Sequence, residues 1–377
     1  MKINHALAIA LSALSAGLLI SCVKPADDNK SAEVDSQEVA KDNTATDSSV
    51  ESSKESTAQI VAVDISPETQ KTYLTHVAED IVIPAYADAA KQSDLLNELA
   101  QKHCQQAPVS GAELQALRAQ WLVLAQAWSS AEVINFGPAT ASMSNLYINY
   151  YPDERGLVHS GVADLIAANP TLTPEQLAGE SAIVQGVPGL EEALFANESL
   201  NAGQCAYVIS ASGALSTRLK DIEKNWQQNA TELLAIDKSA ESDQGLNQWF
   251  NSLLSLVETM KSNAIDQPLG LTGKAKGHLP AATAGQSRAI INAKLDAINK
   301  AMTDPILTAI LNSNDESTVA NNLSTALADT TTLLAQMPED LSAADKVDQQ
   351  ALYHDIDNGK SLVIDVTVME RWICQRF

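Results

Sequence analysis

The chain has 377 residues, with 47 Asp and Glu against 24 Lys and Arg, for a net charge of −23. That balance argues against nucleic acid and anionic lipid surfaces as direct partners and leaves cationic ligands and metal ions open. The about 310 residues beyond a polar leader exceed the usual single-core size, so two packed subdomains are expected.

Lys2 precedes an apolar run from Ala6 to Ile20, which ends at Ser21-Cys22. A basic start, an apolar stretch too short to span comfortably and a small residue before the cut read as a secretory signal over residues 1–22. Leu19-Ile20-Ser21-Cys22 has the form of a bacterial lipobox, which makes Cys22 the expected lipidation site and mature N-terminus. Val23, rather than aspartate, favours attachment to the outer membrane, facing the periplasm. Residues 23–66 are rich in Ser, Thr, Asp, Glu and Lys and lack aromatics. They bury too little surface to offset their chain entropy and are expected to form a disordered tether.

From residue 67 onward the apolar spacing is helical and no segment alternates with period two, so the fold class is all-α. Ser66-Pro67-Glu68 and Thr173-Pro174-Glu175-Gln176 place a capping hydroxyl before a proline at the first helical position. Ser110-Gly111-Ala112-Glu113 and Ser342-Ala343-Ala344-Asp345 have capping-box or near-capping-box form. Pro84 is expected to kink or divide the first long helix. Leu114, Leu117, Trp121, Leu124 and Trp128 trace one face, as do Val208, Leu215, Leu219, Ile222 and Trp226. The stepping recurs at Trp249, Leu253, Leu256 and Met260, then at Ile291, Leu295, Ile298 and Met302. The tryptophans on these stripes are expected to pack in the core. Residues 136–155 and 267–280 break the periodicity, and such long loops are often functional. A boundary near Gly203 is expected to separate an N-terminal bundle, 67–203, from a C-terminal one, 204–377. Export places Cys104, Cys205 and Cys374 in an oxidising compartment, where one disulfide and one free thiol are expected. Cys104 and Cys205, both at polar helix ends, are the expected pair.

The stretch Gly186-Val187-Pro188-Gly189-Leu190-Glu191 has the frame of a Gly-x-His-x-x-Glu motif with proline in the histidine position. Around it lie the Trp121–Trp128 helix, Phe136-Gly137-Pro138, Tyr151-Pro152-Asp153-Glu154-Arg155, Pro268-Leu269-Gly270 and Ser287-Arg288. In this order and spacing the landmarks resemble the imelysin-like family over about residues 70–370. The resemblance implies two helical bundles forming a loose internal repeat. It also implies an exported or lipid-anchored bacterial protein linked to iron uptake, in a family to which peptidase activity has been attributed. The chain departs from the family at Pro188 and in lacking an Asp-Gly-Asp C-terminal ending.

Proline can neither ligate a metal nor carry a proton, so no catalytic residue is assigned and the enzymatic reading weakens. Glu191 is either a carboxylate for a cation or ligand amine, or a favourable charge at a helix N-terminus with Pro188 first in the helix. Asp153 and Arg155 either bind an anion or pin their loop, with Glu191 as one possible partner of Arg155, and Arg288 has the same two readings. A rebuilt metal site would draw on His76, Glu79 and Glu191, with Asp80 on the same face as His76. The leading expectation is a non-catalytic envelope lipoprotein binding a ligand of iron acquisition between the bundles, near Gly186, Pro188, Glu191, Asp153, Arg155 and Arg288. The cofactor or cargo would be iron or an iron-containing ligand. Partners would be a small ligand or metal ion, the membrane through Cys22, and envelope iron-uptake proteins, with no nucleic acid. A metal-dependent peptidase and a structural interaction module are the alternatives.

Overall fold

A computed structural model describes residues 65–134, 136–314 and 317–371, with side chains to Ser361. The expected signal with Cys22, the tether up to residue 64, and Cys374 lie outside the described residues. The described residues are helical almost throughout. The N-terminal part comprises α1 (Pro67–His76), α2 (Ile83–His103), β1 (Val109–Ser110), α3 (Gly111–Ala131), α4 (Ser144–Ile148), α5 (Leu157–Ala168), α6 (Pro174–Ala178) and α7 (Gly186–Phe195). There follow β2 (Ser199–Leu200), α8 (Ala202–Leu233), α9 (Gln244–Thr259), α10 (Gln267–Leu269), α11 (Ser287–Met302), α12 (Pro305–Ser313), α13 (Ser317–Gln336) and α14 (Lys346–Arg371). The two short strands pair antiparallel, Val109 opposite Leu200 and Ser110 opposite Ser199.

The helix starts follow local chemistry. Ser66 Oγ accepts from Thr69 N at 3.2 Å to cap α1, and Thr173 forms a reciprocal capping box with Gln176 at α6. Ser110 makes no side-chain cap; it lies instead in the β1–β2 ladder, with extended backbone. Ser342 sits in a short 3₁₀ turn, and Asp345 caps α14 through Val347 N and Asp348 N.

Pro84 does not break the helix. A π-helical turn, Val77–Val82, joins α1 to α2, and a second, Met260–Asp266, joins α9 to α10. Each runs into an X-Pro pair, Ile83-Pro84 and Gln267-Pro268. Proline brings no N–H to the preceding turn, so a carbonyl there is left for another donor. Lys300 Nζ reaches Asp80 O at 2.9 Å, and Tyr151 Oη reaches Asn263 O at 3.0 Å. The two halves of the molecule thus use the same device with different donors.

In the first group, α2 packs along α3 and α8, and α7 packs against α3, α5 and α8. Gly203 falls in the first turn of α8, whose neighbours α2 and α7 precede it in the chain. In the second group, α9 and α13 pack on α14, and α11 packs on α13. Contact between α3 and α11 joins the groups, and the described residues belong to one compact unit. The stripe tryptophans Trp121, Trp128, Trp226 and Trp249 are all buried. Burial of each such ring contributes on the order of 3 kcal/mol.

Candidate functional site

The motif stretch opens α7. Gly186 has φ +70°, and a Cβ there would lie 2.2 Å from the Ile148 carbonyl oxygen, so only glycine lets α7 begin against α4. Tyr207 Oη donates to Val184 O at 2.9 Å, and Trp121 Nε1 donates to Val187 O at 3.0 Å. These bonds fix the entry of α7 between α3 and α8 and so aim its next turn.

That turn carries Glu191, which is 8% exposed. Its Oε1 accepts from Ala284 N at 3.0 Å, and Thr283 N–H also bonds the carboxylate. Both amides belong to the loop between α10 and α11. Burial pushes the Glu191 pKa up to about 7; the backbone hydrogen bonds oppose this, and the neighbouring Glu192 charge adds to it. Glu192 turns outward to His159 Nδ1, 2.6 Å away.

Tyr151 stands below. Its hydroxyl is 2.9 Å from His278 O and 3.0 Å from Asn263 O, bridging the loop and the second π turn. Burial pushes its phenol upward, and the charges of Glu132 and then Glu191 add to the rise, so this tyrosine lies within the field of both carboxylates. Glu132, just beyond α3, accepts from Asn149 Nδ2 at 3.1 Å and forms an ion pair with Lys294 of α11. Both members of that pair are largely buried, with side chains 22% and 11% exposed. The buried indole N–H of Trp128 has no partner among the described residues.

Two adjoining spaces share Trp128, Tyr151 and Lys294 as walls. The larger, about 230 Å³, is also lined by Glu132, Thr259 and Asn263. The smaller, about 40 Å³, lies beneath Pro188, Glu191 and His278. Together they offer the indole donor, the Glu132–Lys294 pair and the Glu191 carboxyl, which changes charge near neutrality. Such convergent polar groups beside the apolar walls suit ligand binding.

The imelysin family (peptidase M75) matches residues 82–362. The chain belongs to the imelysin family. It is similar to an imelysin-like protein from Psychrobacter arcticus 273-4, with 82% identity and a TM-score of 0.80 over 81% of this chain and 96% of that one. A putative iron-regulated protein A precursor from Parabacteroides distasonis ATCC 8503 shares the fold at 12% identity and a TM-score of 0.64, again over 81% and 96% of the two chains. No curated protein matches.

Within this imelysin fold the expected site residues separate. Pro188 is the third residue of α7 rather than the first; its missing N–H costs nothing there, because first-turn amides have no helical acceptor. Glu191 makes no cap to its own helix and is held by the α10–α11 loop instead. Asp153 is buried and accepts from Val158 N at 2.8 Å, which caps α5. Arg155 is exposed and has no partner among the described residues; Glu154 makes the loop's ion pair, with Lys276 at 2.6 Å. Arg288 donates to Ala335 O at 3.0 Å and Met337 O at 2.8 Å and pairs with Glu339, pinning the start of α11. His76 lies between Asp80, at 2.8 Å, and Asp304, at 2.6 Å, while Glu79 is exposed. Among the described residues no group of three or more His, Cys, Asp or Glu is placed to hold a metal ion. His76, Glu79 and Glu191 are therefore not assembled as a metal centre.

The residues missing from the sequence expectation are Trp128 as a donor, Glu132, Asn149 and Lys294. A signal for two of them was present. Glu132 continues the Trp121–Leu124–Trp128 stripe, and Lys294 falls between Ile291 and Leu295 on the buried side of α11. Charges on an apolar stripe need partners, and here they find each other.

Proposed function

We propose that this imelysin-family chain is a non-catalytic, lipid-anchored envelope protein that binds a small polar organic ligand as part of iron acquisition. The observation that carries the reading is a 230 Å³ space walled by the Glu132–Lys294 pair and the unpartnered Trp128 N–H, with Glu191 beside it. A polar space of that size holds about seven waters' worth of volume and suits a small molecule. The fold shared with the putative iron-regulated protein A precursor supports the link to iron. A bare ferric ion fits poorly, because Glu132 is committed to Lys294 and Glu191 to backbone amides. Iron would arrive wrapped in a ligand bearing both hydrogen-bond donors and acceptors.

The test is a thermal-shift and calorimetric titration with ferric citrate, citrate alone and ferric nitrilotriacetate. A rise in Tm with at least one chelate or with citrate, lost in Trp128→Phe and Lys294→Met, is the expected result. No shift with any of them at millimolar concentration would overturn the ligand and leave an interaction module.

A further inference from the structure

Away from the cavity, two cysteines meet at the seam between α2 and α8. Cys104 is the residue that ends α2, and Cys205 lies in the first turn of α8. α2 and α8 run antiparallel, with Asp94 against Ser216 and Asn97 against Ser212, and continuing that register by two turns sets Cys104 opposite Cys205. The two thiols touch: both are free, and Cys104 hydrogen-bonds to Cys205. Cys205 is buried and Cys104 half-buried, so an incoming reagent meets Cys104 first.

We propose that Cys104 and Cys205 are the site of a disulfide, formed by exchange with a dithiol–disulfide donor that engages Cys104 and is displaced by Cys205. In the first step the Cys104 thiolate attacks one sulfur of the donor disulfide. A mixed S–S bond forms, the donor S–S bond breaks, and the donor's other sulfur leaves as a thiolate. In the second step the Cys205 thiolate attacks Cys104 Sγ and expels the donor's remaining sulfur. Two cysteine thiols are oxidised by two electrons, the donor disulfide is reduced to a dithiol, and the two thiol protons pass to it. Exposure sets this division of labour: Cys104 is the accessible sulfur, and it attacks once the proton shared by the pair has moved to Cys205. The hydrogen bond from Cys104 holds the Cys205 thiol below its ordinary value despite desolvation, favouring thiolate at the resolving sulfur. Cys104 is pushed upward by the same bond and by burial. Once ionised, the pair shares one proton, and either sulfur can carry the charge.

The bridge would tie the end of α2 to the start of α8 and enclose everything from β1 to β2. That closed segment carries Trp128, Glu132, Tyr151 and Glu191, one whole side of the cavity. A disulfide closing a loop of about 100 residues strongly restricts the unfolded chain.

Peptide mapping without reductant, on protein purified from an oxidising compartment, tests the proposal. The expected result is a linked Cys104–Cys205 peptide and a chain lighter by two hydrogens than the reduced form. Reduction should lower Tm by about 5–10 °C in the wild type and leave the Cys104→Ser, Cys205→Ser double variant unchanged. Glutathione disulfide added to the reduced protein should accumulate as a stable adduct on Cys104 in Cys205→Ser, with little on Cys205 in Cys104→Ser. Alkylation of Cys104 and Cys205 themselves in the wild type, or a link from either one to Cys374, would overturn the proposal, and the mapping needs no variant to fold. Ligand binding by the cavity is read separately, in the titration above.

Discussion

At the scale of single residues, Glu191 is the group whose environment departs most from what its position in the chain suggests. Its neutral form is favoured by burial, with a folded pKa of about 7 against 4.5 for an ordinary glutamate. The fold therefore gains from the protonated carboxyl below pH 4.5, and that gain is lost as pH rises through 7. Glu191→Gln, which imitates the neutral form, should flatten the decline of Tm between pH 4.5 and 7. It should also be the more stable protein at pH 8, by on the order of 2–3 kcal/mol in urea titrations. A parallel pH profile for the two proteins would show that the carboxyl titrates as it does in water. Pro188 beside it is a neutral tenant of the first turn, so the lost histidine changes the chemistry of the stretch without disturbing its backbone.

At the scale of elements, the Glu132–Lys294 pair fastens the end of α3 to α11 and thereby the first group of helices to the second. Removing one member leaves a largely buried charge alone. Lys294→Met and Glu132→Leu should each cost about 3 kcal/mol, whereas the double variant should lose much less than their sum. Denaturant midpoints of the four proteins measure that coupling; strict additivity would mean that the two charges do not depend on each other. Most of the helices were legible in the sequence because the 3.6-residue stripes and the Ser66 and Thr173 caps act within one or two turns. The β1–β2 ladder was not, since two residues per strand carry no alternation and Ser110 reads equally well as a cap. The π turns were invisible for a similar reason: Pro84 and Pro268 announce a problem, but the donors that solve it, Lys300 and Tyr151, are remote in the chain. In the site, Gly186 and Glu191 were legible from their motif. Of the two readings open for Arg288 the pinning one is seen, whereas Arg155 makes no such contact among the described residues; sequence shows a charge but not its partner.

At the scale of the whole molecule, the charge of −23 is a standing repulsion that packing must overcome. Raising monovalent salt from about 20 to about 200 mM should lift Tm by roughly 2–4 °C through screening, in differential scanning calorimetry at constant pH. A flat response would mean that ion pairs such as Lys71–Asp237 and Lys220–Asp94 lose as much to screening as the repulsion does. The cavity belongs to this scale too, because its walls come from α3, the stretch before α5, α7, the second π turn and α11. Tyr151 is where these pieces meet, with one hydroxyl proton facing two carbonyl oxygens, Asn263 O and His278 O. A hydroxyl can serve only one of them at a time. The wall therefore keeps a vacant seat: a guest arriving with its own N–H or O–H can take one carbonyl while the tyrosine swivels to the other, and nothing is left unserved. For the ligand proposed above, such a group would give a foothold that a bare anion lacks.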